Sequence, residues 1–304
     1  MRAATALQGS RDVWLGDWGA ERELANESAE PCYKLSFRLK SPRAKGPNRM
    51  STNEVTLSID DRVAVVEMHR PPMNFFDRDL LAVIADAGEE AQSDGARAIV
   101  LCSEGRHFCA GLNLSDGPGQ VDRRDAAAAV YQQAMRIFAL ELPVIAAVQG
   151  VALGGGLGLA CAADFRVVSP ETRFEANFSR LGFHHGFALS VTLPRIVGNQ
   201  HAAFMLYSGA EVRGEQAHRI GLADRIVAQV DLRDQAIVLA QEIAAAAPLA
   251  VKSMRCTLRQ DLIAKLEKAL EHELGEQVRL WGTEDFAIGI QSARERQAPA
   301  FVGR

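Results

Sequence analysis

The sequence predicts an α/β fold, and three observations support that class. From about Val55 onward, short runs rich in β-branched residues alternate with stretches whose apolar residues recur at helical spacing. Glycine or polar residues follow most of the short runs, as is typical of strands that end in turns. The chain has 304 residues, 48% of them hydrophobic, which is enough to bury one substantial core or two modest ones.

The first 49 residues differ in composition from the rest. They scatter charged residues among Ser, Pro and Gly, without sustained apolar periodicity, and they resemble neither a secretory signal nor an acid-poor transit peptide. We therefore expect residues 1–49 to be a weakly ordered extension, with Met50 a candidate for the true start. Residues 50–250 are expected to form the core.

The core begins with a predicted hairpin and helix. The runs VTLSI and VAVVEMH flank a charged turn at residues 60–62, which indicates two antiparallel strands. The following segment, LLAVIADAGEEAQSDG, has apolar residues at helical spacing and ends at Gly95.

Buried strands and a long helix are predicted next. The runs AIVLC, PVIAAV and FRVVS are continuously apolar or nearly so, as is typical of strands covered on both faces. Beyond Asp231, a leucine stripe at helical spacing predicts a long amphipathic helix that faces the core or a second subunit. Its members are Leu258, Leu262, Leu266, Leu270 and Leu274.

Composition argues against several classes of function. The formal net charge of -4 gives no electrostatic basis for binding nucleic acid or an anionic membrane. No apolar run approaches the roughly 20 residues that span a bilayer. The five cysteines are scattered and form no CxxC pair, so neither a disulfide framework nor a metal site is expected, and a reducing cytoplasm fits best.

Two glycine turns are the strongest candidates for a functional site. The segment GVALGGGLGLACAAD, residues 150–164, follows a predicted strand and begins a helix, so its amides lie at a helix N-terminus that attracts anions. It is not a dinucleotide fingerprint, because Leu159 stands where GxGxxG requires its last glycine. A second turn lies in SEGRHFCAGLNL, residues 103–114. Together the two turns could direct two amides at one oxygen, as stabilisation of an enolate requires.

Three motifs then identify a family. RHFCAGLNL, PVIAAVQGVALGGGLGLACAADFRV and LGFHHGFALSVTLPRIVG resemble the core motifs of the crotonase superfamily, the enoyl-CoA hydratase/isomerase fold, and TEDFAIGIQSARERQAPAFVG resembles its C-terminal segment. The resemblance implies a spiral of repeated ββα units. It also implies that residues 251–304 form a helical region that assembles homotrimers, which often pair into hexamers. The implied substrate is an acyl-CoA thioester, with coenzyme A as part of the substrate and no prosthetic group.

The resemblance also assigns residues. The thioester carbonyl oxygen is expected at the backbone amides of Ala110 and Gly155. The two glutamates that serve hydratases of this family are replaced by Gly158 and Phe178. Neither residue activates water or protonates a carbon, so isomerisation or other enolate chemistry is as well supported as hydration. A bound anion such as bicarbonate in the space beside Gly158 is one substitute base.

Side chains that could replace the glutamates lie nearby. His184 and His185, in LGFHHGF, match a loop that approaches the reactive carbons in the family, and Glu175 precedes Phe178 by three residues. Each has an alternative interpretation as a structural or surface residue. Asp116 and Asp122 lie in a loop that could reach the acyl group.

Further residues are expected to contact the substrate. HRPPMNFFD, residues 69–77, resembles the loop that contacts coenzyme A in the family, and Arg294 and Arg296 are expected near its phosphates. Asn113 replaces the usual aspartate and cannot act as a base. The expected substrate-binding residues are Pro72, Met73, Asn74, Ala110, Gly111, Asn113, Gly154, Gly155, Gly158 and Phe178.

Two other residues are interpreted as structural. Cys109 lies two residues after His107, but packing is the favoured role for its thiol. Asp164 matches a structural aspartate of the family, with Arg166 expected as its neighbour.

Three hypotheses remain open from the sequence. The leading one is an acyl-CoA enzyme that stabilises a thioester enolate through Ala110 and Gly155. The second is an acyl-CoA-binding protein without turnover, motivated by Gly158 and Phe178. The third is a hydrolase of β-dicarbonyl compounds that uses His184 or His185.

Overall fold

The computed structural model describes residues 51–52, 54–113 and 123–304. The predicted extension 1–49, Met50, Asp116 and Asp122 lie outside these ranges. The described chain is an α/β protein, as the sequence predicts. The strands are β1 (Ser51–Thr52), β2 (Val55–Asp60), β3 (Val63–Met68), β4 (Ala98–Ser103), β5 (Val144–Val148), β6 (Val151–Leu153), β7 (Phe165–Val168), β8 (Arg173–Glu175), β9 (Glu211–Arg213) and β10 (Arg225–Ile226). The α-helices are α1 (Arg78–Ser93), α2 (Arg123–Phe138), α3 (Gly155–Ala162), α4 (Leu189–Ser208), α5 (Gly214–Arg219), α6 (Leu232–Ala244), α7 (Pro248–Leu280) and α8 (Glu284–Glu295).

The strands form two sheets. The larger has the order β1-β2-β3-β4-β5-β7-β10, and the smaller has the order β6-β8-β9. The predicted hairpin is confirmed: β2 and β3 pair antiparallel, with Asp60 opposite Val63. Asp61 and Arg62 in its turn have φ of 41° and 68°, the left-handed conformation that suits the twist of a two-residue hairpin.

The larger sheet is covered on both faces. From β3 onward its neighbours pair in parallel, and β4 and β5 are buried along their whole length. Along β4, Ile99 and Leu101 join the core under α1, whereas Val100 joins a second core under Leu232 and Leu239 of α6. This two-sided burial explains why these strands read as continuous apolar runs.

The leucine stripe lies on α7 and faces the core along most of its length. Leu262, Leu266, Leu270 and Leu274 are buried, whereas Leu258 is 69% exposed. Trimer formation by this region stays a prediction. No single helix of the described residues is both long and apolar enough to cross a membrane, and one pair bent by 104°, Gln229–Ala244 with Pro248–Leu280, meets that requirement by length and composition only.

Arg166 lies beside Asp164, as expected, since its Nη2 donates to the Asp164 backbone carbonyl at 3.4 Å, but the partners of the carboxylate are different residues. The Asp164 carboxylate receives hydrogen bonds from Arg255 Nε (2.8 Å) and Arg259 Nη1 (2.6 Å), while Arg166 pairs with Asp224 at 3.2 Å. Burial by itself would raise the pKa of Asp164, but the charges of Arg259 and Arg255 hold it below its usual value. Two arginines on α7 thus fix the end of α3 to the C-terminal helices.

Candidate functional site

The two glycine turns lie side by side. Cys109 and Ala152 form a parallel bridge. Around it, the Cys109 amide donates to the Val151 carbonyl (3.1 Å), and the Leu153 amide donates to the Cys109 carbonyl (3.0 Å). These backbone bonds hold the first turn against the start of α3, so the two amides predicted for one oxygen come from neighbouring segments.

Glycine is required where α3 begins. Gly154 has φ 53° and ψ -115°, a conformation that side chains disfavour. Gly155 is the first residue of α3, so its amide has no acceptor within the helix and lies at the positive end of the helix dipole. Gly111 faces this amide, since a Cβ on Gly111 would stand 2.8 Å from the Leu153 oxygen and 3.0 Å from the Gly155 nitrogen.

The second predicted amide already has an acceptor. The N–H of Ala110 donates to the Met73 carbonyl oxygen at 3.0 Å. A thioester oxygen that reaches both amides therefore shares the Ala110 donor with Met73 or displaces that carbonyl. Within the same loop, Asn74 is fully buried and its Nδ2 donates to the carbonyls of Glu104 (2.9 Å) and His107 (2.6 Å). Asn74 thus shapes the loop rather than facing a ligand.

A cavity of about 690 Å³ adjoins the two turns. Of the predicted substrate-binding residues, those on its wall are Met73, Ala110, Asn113, Gly154, Gly155 and Phe178. Arg294 and Arg296 also line it. Pro72 is exposed and lies off the wall, as do Gly111 and Gly158. The wall brings together residues from both turns, the loop before α1 and the C-terminal helices.

The space expected beside Gly158 is filled. A Cβ on Gly158 would stand 2.6 Å from the Cβ and 2.8 Å from Cδ1 of Phe187. Phe187 has φ 60°, which turns its side chain toward α3, and it is 2% exposed. The expectation of room for a bound anion there is therefore wrong, because an aromatic ring occupies the position.

The two histidines lie behind the cavity wall. Their rings stack at 4.0 Å, and His185 Nε2 is 3.8 Å from Glu273 Oε1 on α7. Burial lowers the pKa of His185 to about 3, with further lowering by His184 and His272, so this imidazole is neutral near pH 7. The structure brings neither histidine to the wall.

Glu175 and Cys109 also lie off the wall. Burial and the charge of Glu211 raise the pKa of the Glu175 carboxyl, and its backbone oxygen accepts from the Gly154 amide at 2.8 Å. Cys109 is fully buried, and burial raises its pKa to about 12. A neutral thiol agrees with the packing interpretation of this residue.

Sequence reasoning missed a polar pair in the wall. The Tyr131 hydroxyl donates to Gln277 Oε1 at 2.9 Å, and Gln277 Nε2 donates to the His184 carbonyl at 3.1 Å. Burial, followed by the charge of Glu273, raises the pKa of Tyr131, so the phenol keeps its proton. The available signal was that Gln277 stands three residues after Leu274 on a stripe predicted to be buried.

Glu273 fixes the segment that carries Phe187. Its carboxylate accepts hydrogen bonds from the amides of Ala188 (2.8 Å) and Ser190 (2.9 Å) at the start of α4. Burial raises the pKa of Glu273 to about 7. This carboxylate, contributed from α7, takes the role of an N-cap side chain for α4.

Comparison with known proteins identifies the family of the chain. Residues 58–304 match the family described as Enoyl-CoA hydratase/isomerase. The chain is 31% identical over 256 residues to the "Probable enoyl-CoA hydratase" of Bacillus subtilis, covering 83% of this chain and 99% of that protein. It is 32% identical over 260 residues to the (E)-benzylidenesuccinyl-CoA hydratase of Thauera aromatica, covering 82% and 99%.

A solved structure shares the fold. The enoyl-CoA hydratase/isomerase of Pseudoalteromonas atlantica superposes with a TM-score of 0.73 at 26% identity, over 82% of this chain and all of that one. The crotonase-type architecture predicted from the three motifs is thereby confirmed. The chain belongs to the enoyl-CoA hydratase/isomerase family.

Proposed function

We propose that this acyl-CoA enzyme holds the thioester carbonyl oxygen at the amides of Gly155 and Ala110 and stabilises the enolate that forms when the α-carbon loses a proton. The observation that carries the proposal is the start of α3 beside the Ala110 turn on a cavity wall. The names of the relatives, which specify enoyl-CoA and benzylidenesuccinyl-CoA hydratases, support an acyl-CoA thioester as the substrate.

The chemistry follows from where charge develops. Loss of the α-proton moves negative charge onto the carbonyl oxygen, and the Gly155 amide meets it with the dipole of α3 behind it. Donors of this kind contribute about 10²- to 10³-fold in rate. When the proton returns to the γ-carbon of an enoyl thioester rather than the α-carbon, the double bond moves and the atoms balance without water.

Hydration by a carboxylate pair lacks support. Among the described residues that line the cavity, none is Asp, Glu or His. Activation of water needs such a group within hydrogen-bond reach. Removal of the α-proton needs a proton acceptor in the same way, so this wall does not separate double-bond isomerisation from addition of water, and both remain reactions of the proposed enolate.

The test is incubation of crotonyl-CoA and a 3-enoyl-CoA with the protein in heavy water, followed by mass spectrometry. Deuterium at the α- or γ-carbon that depends on the protein is the expected result. A 3-hydroxyacyl-CoA product would identify the reaction as hydration, whereas turnover without deuterium at either carbon would contradict the proposal.

A second candidate is acyl-CoA binding without turnover. It is favoured by the same wall and by the bond between Ala110 and the Met73 carbonyl, which engages one of the two amides. Binding of both thioesters with no deuterium incorporation would support this candidate against the first.

A further inference from the structure

The cavity wall is enriched in aromatic residues. Aromatic residues make up 6% of the chain. The aromatic residues on the wall include Phe76, Tyr131, Phe178, Phe183, Phe187 and Trp281. They come from the loop before α1, from α2, from the segment between β8 and α4, and from the end of α7, so the fold gathers them from distant parts of the sequence.

Three of these rings lie against the glycines that begin α3. Phe76 Cζ stands 2.5 Å from the position of a Cβ on Gly155, and Phe178 Cζ stands 3.6 Å from that position on Gly154. Phe187 fills the corresponding position on Gly158. Aromatic rings of the cavity wall therefore border the start of α3.

The rings already adopt the geometries that aromatic pairs favour. Phe178 and Phe183 meet edge to face, with centroids 5.4 Å apart and planes at 75°. Phe76 and Phe187 meet at 5.4 Å and 49°, and Phe183 lies 6.5 Å from Trp281. A further ring that enters the cavity adds to existing clusters instead of meeting isolated side chains.

We propose that the acyl group bound here carries an aromatic ring close to the thioester, which makes aryl-substituted acyl-CoA the substrate class. This inference rests on the proposed function, because it places the thioester at Gly155. An alkyl group gains from burial in proportion to its apolar area. An aryl group gains that and, in addition, the edge-to-face and offset contacts of its ring with the wall.

The test compares two thioesters that differ only in the ring. Calorimetric titration of the full chain with cinnamoyl-CoA and with 3-cyclohexylacryloyl-CoA measures the two dissociation constants. We expect cinnamoyl-CoA to bind about tenfold more tightly, the size of one to two favourable aromatic pairs. Equal affinities, or tighter binding of the cyclohexyl compound, would overturn the inference.

Two phenylalanine variants locate the preference. Phe183→Leu keeps an apolar side chain but removes the edge contacts, and it is expected to reduce the preference to about twofold. Phe204→Leu is the matched control, because Phe204 on α4 is 59% exposed and lies off the wall, and it is expected to keep the preference. Full preference in Phe183→Leu would overturn the assignment to this wall.

Failure of the inference differs from failure of the proposed function. If crotonyl-CoA binds and cinnamoyl-CoA does not, the thioester site stands and the aryl class is rejected. If no thioester binds, the proposed function falls and the inference falls with it.

Discussion

Polar groups at the two ends of α3 have different surroundings. At the C-terminal end, the Ala162 carbonyl accepts from Arg259 Nη2 at 3.0 Å, and Asp164 is ion-paired to Arg255 and Arg259. At the N-terminal end, the Gly155 amide faces a cavity with an aromatic wall. The fold thus satisfies the polar groups at one end from within, and places the Gly155 amide at the other end on the wall of a cavity.

The pKa values of ionisable side chains are also shifted differently near the two ends. Arginine partners overcome the effect of burial on Asp164 and lower its pKa. Behind the cavity, burial dominates, so the pKa of Glu273 rises to about 7 and that of His185 falls to about 3. Charge is favoured at the end with a structural role and disfavoured beside the cavity.

The largest expected effect comes from removing the charge at the paired end. Asp164→Asn removes the carboxylate that the buried Arg255 and Arg259 share, and we expect a loss of about 3–5 kcal/mol in the free energy of unfolding. Urea denaturation measures it. Asp261→Asn is the control, because Asp261 forms an exposed i,i+4 pair with Lys265 and its loss has little effect. A stable Asp164→Asn variant would show that the pairs do not hold the helix end.

The next largest effect is expected from blocking access to the Gly155 amide at the N-terminal end of α3. Gly111 and Gly95 have φ of 81° and 82°, so backbone strain from alanine costs about 1–2 kcal/mol of stability at either position, and at Gly111 the contact of the Cβ with the Leu153 oxygen at 2.8 Å adds to it. Only Gly111→Ala puts a methyl group 3.0 Å from the Gly155 nitrogen, whereas a Cβ on Gly95 meets nothing within 4 Å. We expect Gly111→Ala to lose deuterium exchange by about 100-fold.

The control variant Gly95→Ala separates strain from access. It is expected to lose stability through backbone strain alone, with exchange at the parental rate. Parental exchange in Gly111→Ala would place the oxyanion site elsewhere than at Gly155.

The smallest effect is a pH dependence behind the cavity. His185 binds a proton near pH 6.5 when unfolded and only near pH 3 when folded, so it makes stability fall as the pH drops below about 6.5. Glu273 acts oppositely, because its raised pKa makes stability rise as the pH falls from about 7 toward 4.5. The other imidazoles near His185 are those of His184 and His272.

His185→Asn removes the contribution of His185 to the pH dependence of stability and leaves that of Glu273. We expect the stability of the variant at pH 5, relative to pH 7, to exceed that of the parent by about 1–2 kcal/mol. Urea denaturation at both pH values measures this difference. Parallel pH profiles would mean that His185 titrates normally in the folded protein.

The sequence was sufficient where the determinants are local. The hairpin at 60–62, the buried strands and the glycine helix start each depend on residues that are neighbours in the chain. The partners of Asp164 could not be found this way, because Arg255 and Arg259 lie more than ninety positions later on α7. Their spacing of four, followed three positions later by Leu262, puts both arginines in line with the buried leucine stripe, and this was the one local hint that they point inward.

In the candidate site too, features that depend on neighbouring residues could be predicted, whereas features that depend on tertiary packing could not. The turns at Ala110 and Gly155 follow from local sequence, whereas the wall depends on how the segment before α4 packs. A left-handed φ at Phe187 cannot be anticipated for a bulky residue, and it places this ring in the position beside Gly158 while His184 and His185 lie behind the wall. Resemblance to a family loop indicates His184 and His185, and closeness to Phe178 in the sequence indicates Glu175, but neither determines which side chains face a cavity.

The contact between Gly158 and Phe187 also has an evolutionary consequence. A Cβ at position 158 meets the Cβ of Phe187, so shortening Phe187 to alanine would leave the obstacle in place. Only glycine at position 187 clears the space, at a cost of about 3–5 kcal/mol for the lost core ring. The two positions are therefore epistatic: a side chain at position 158 becomes compatible with this packing only after position 187 has lost its own.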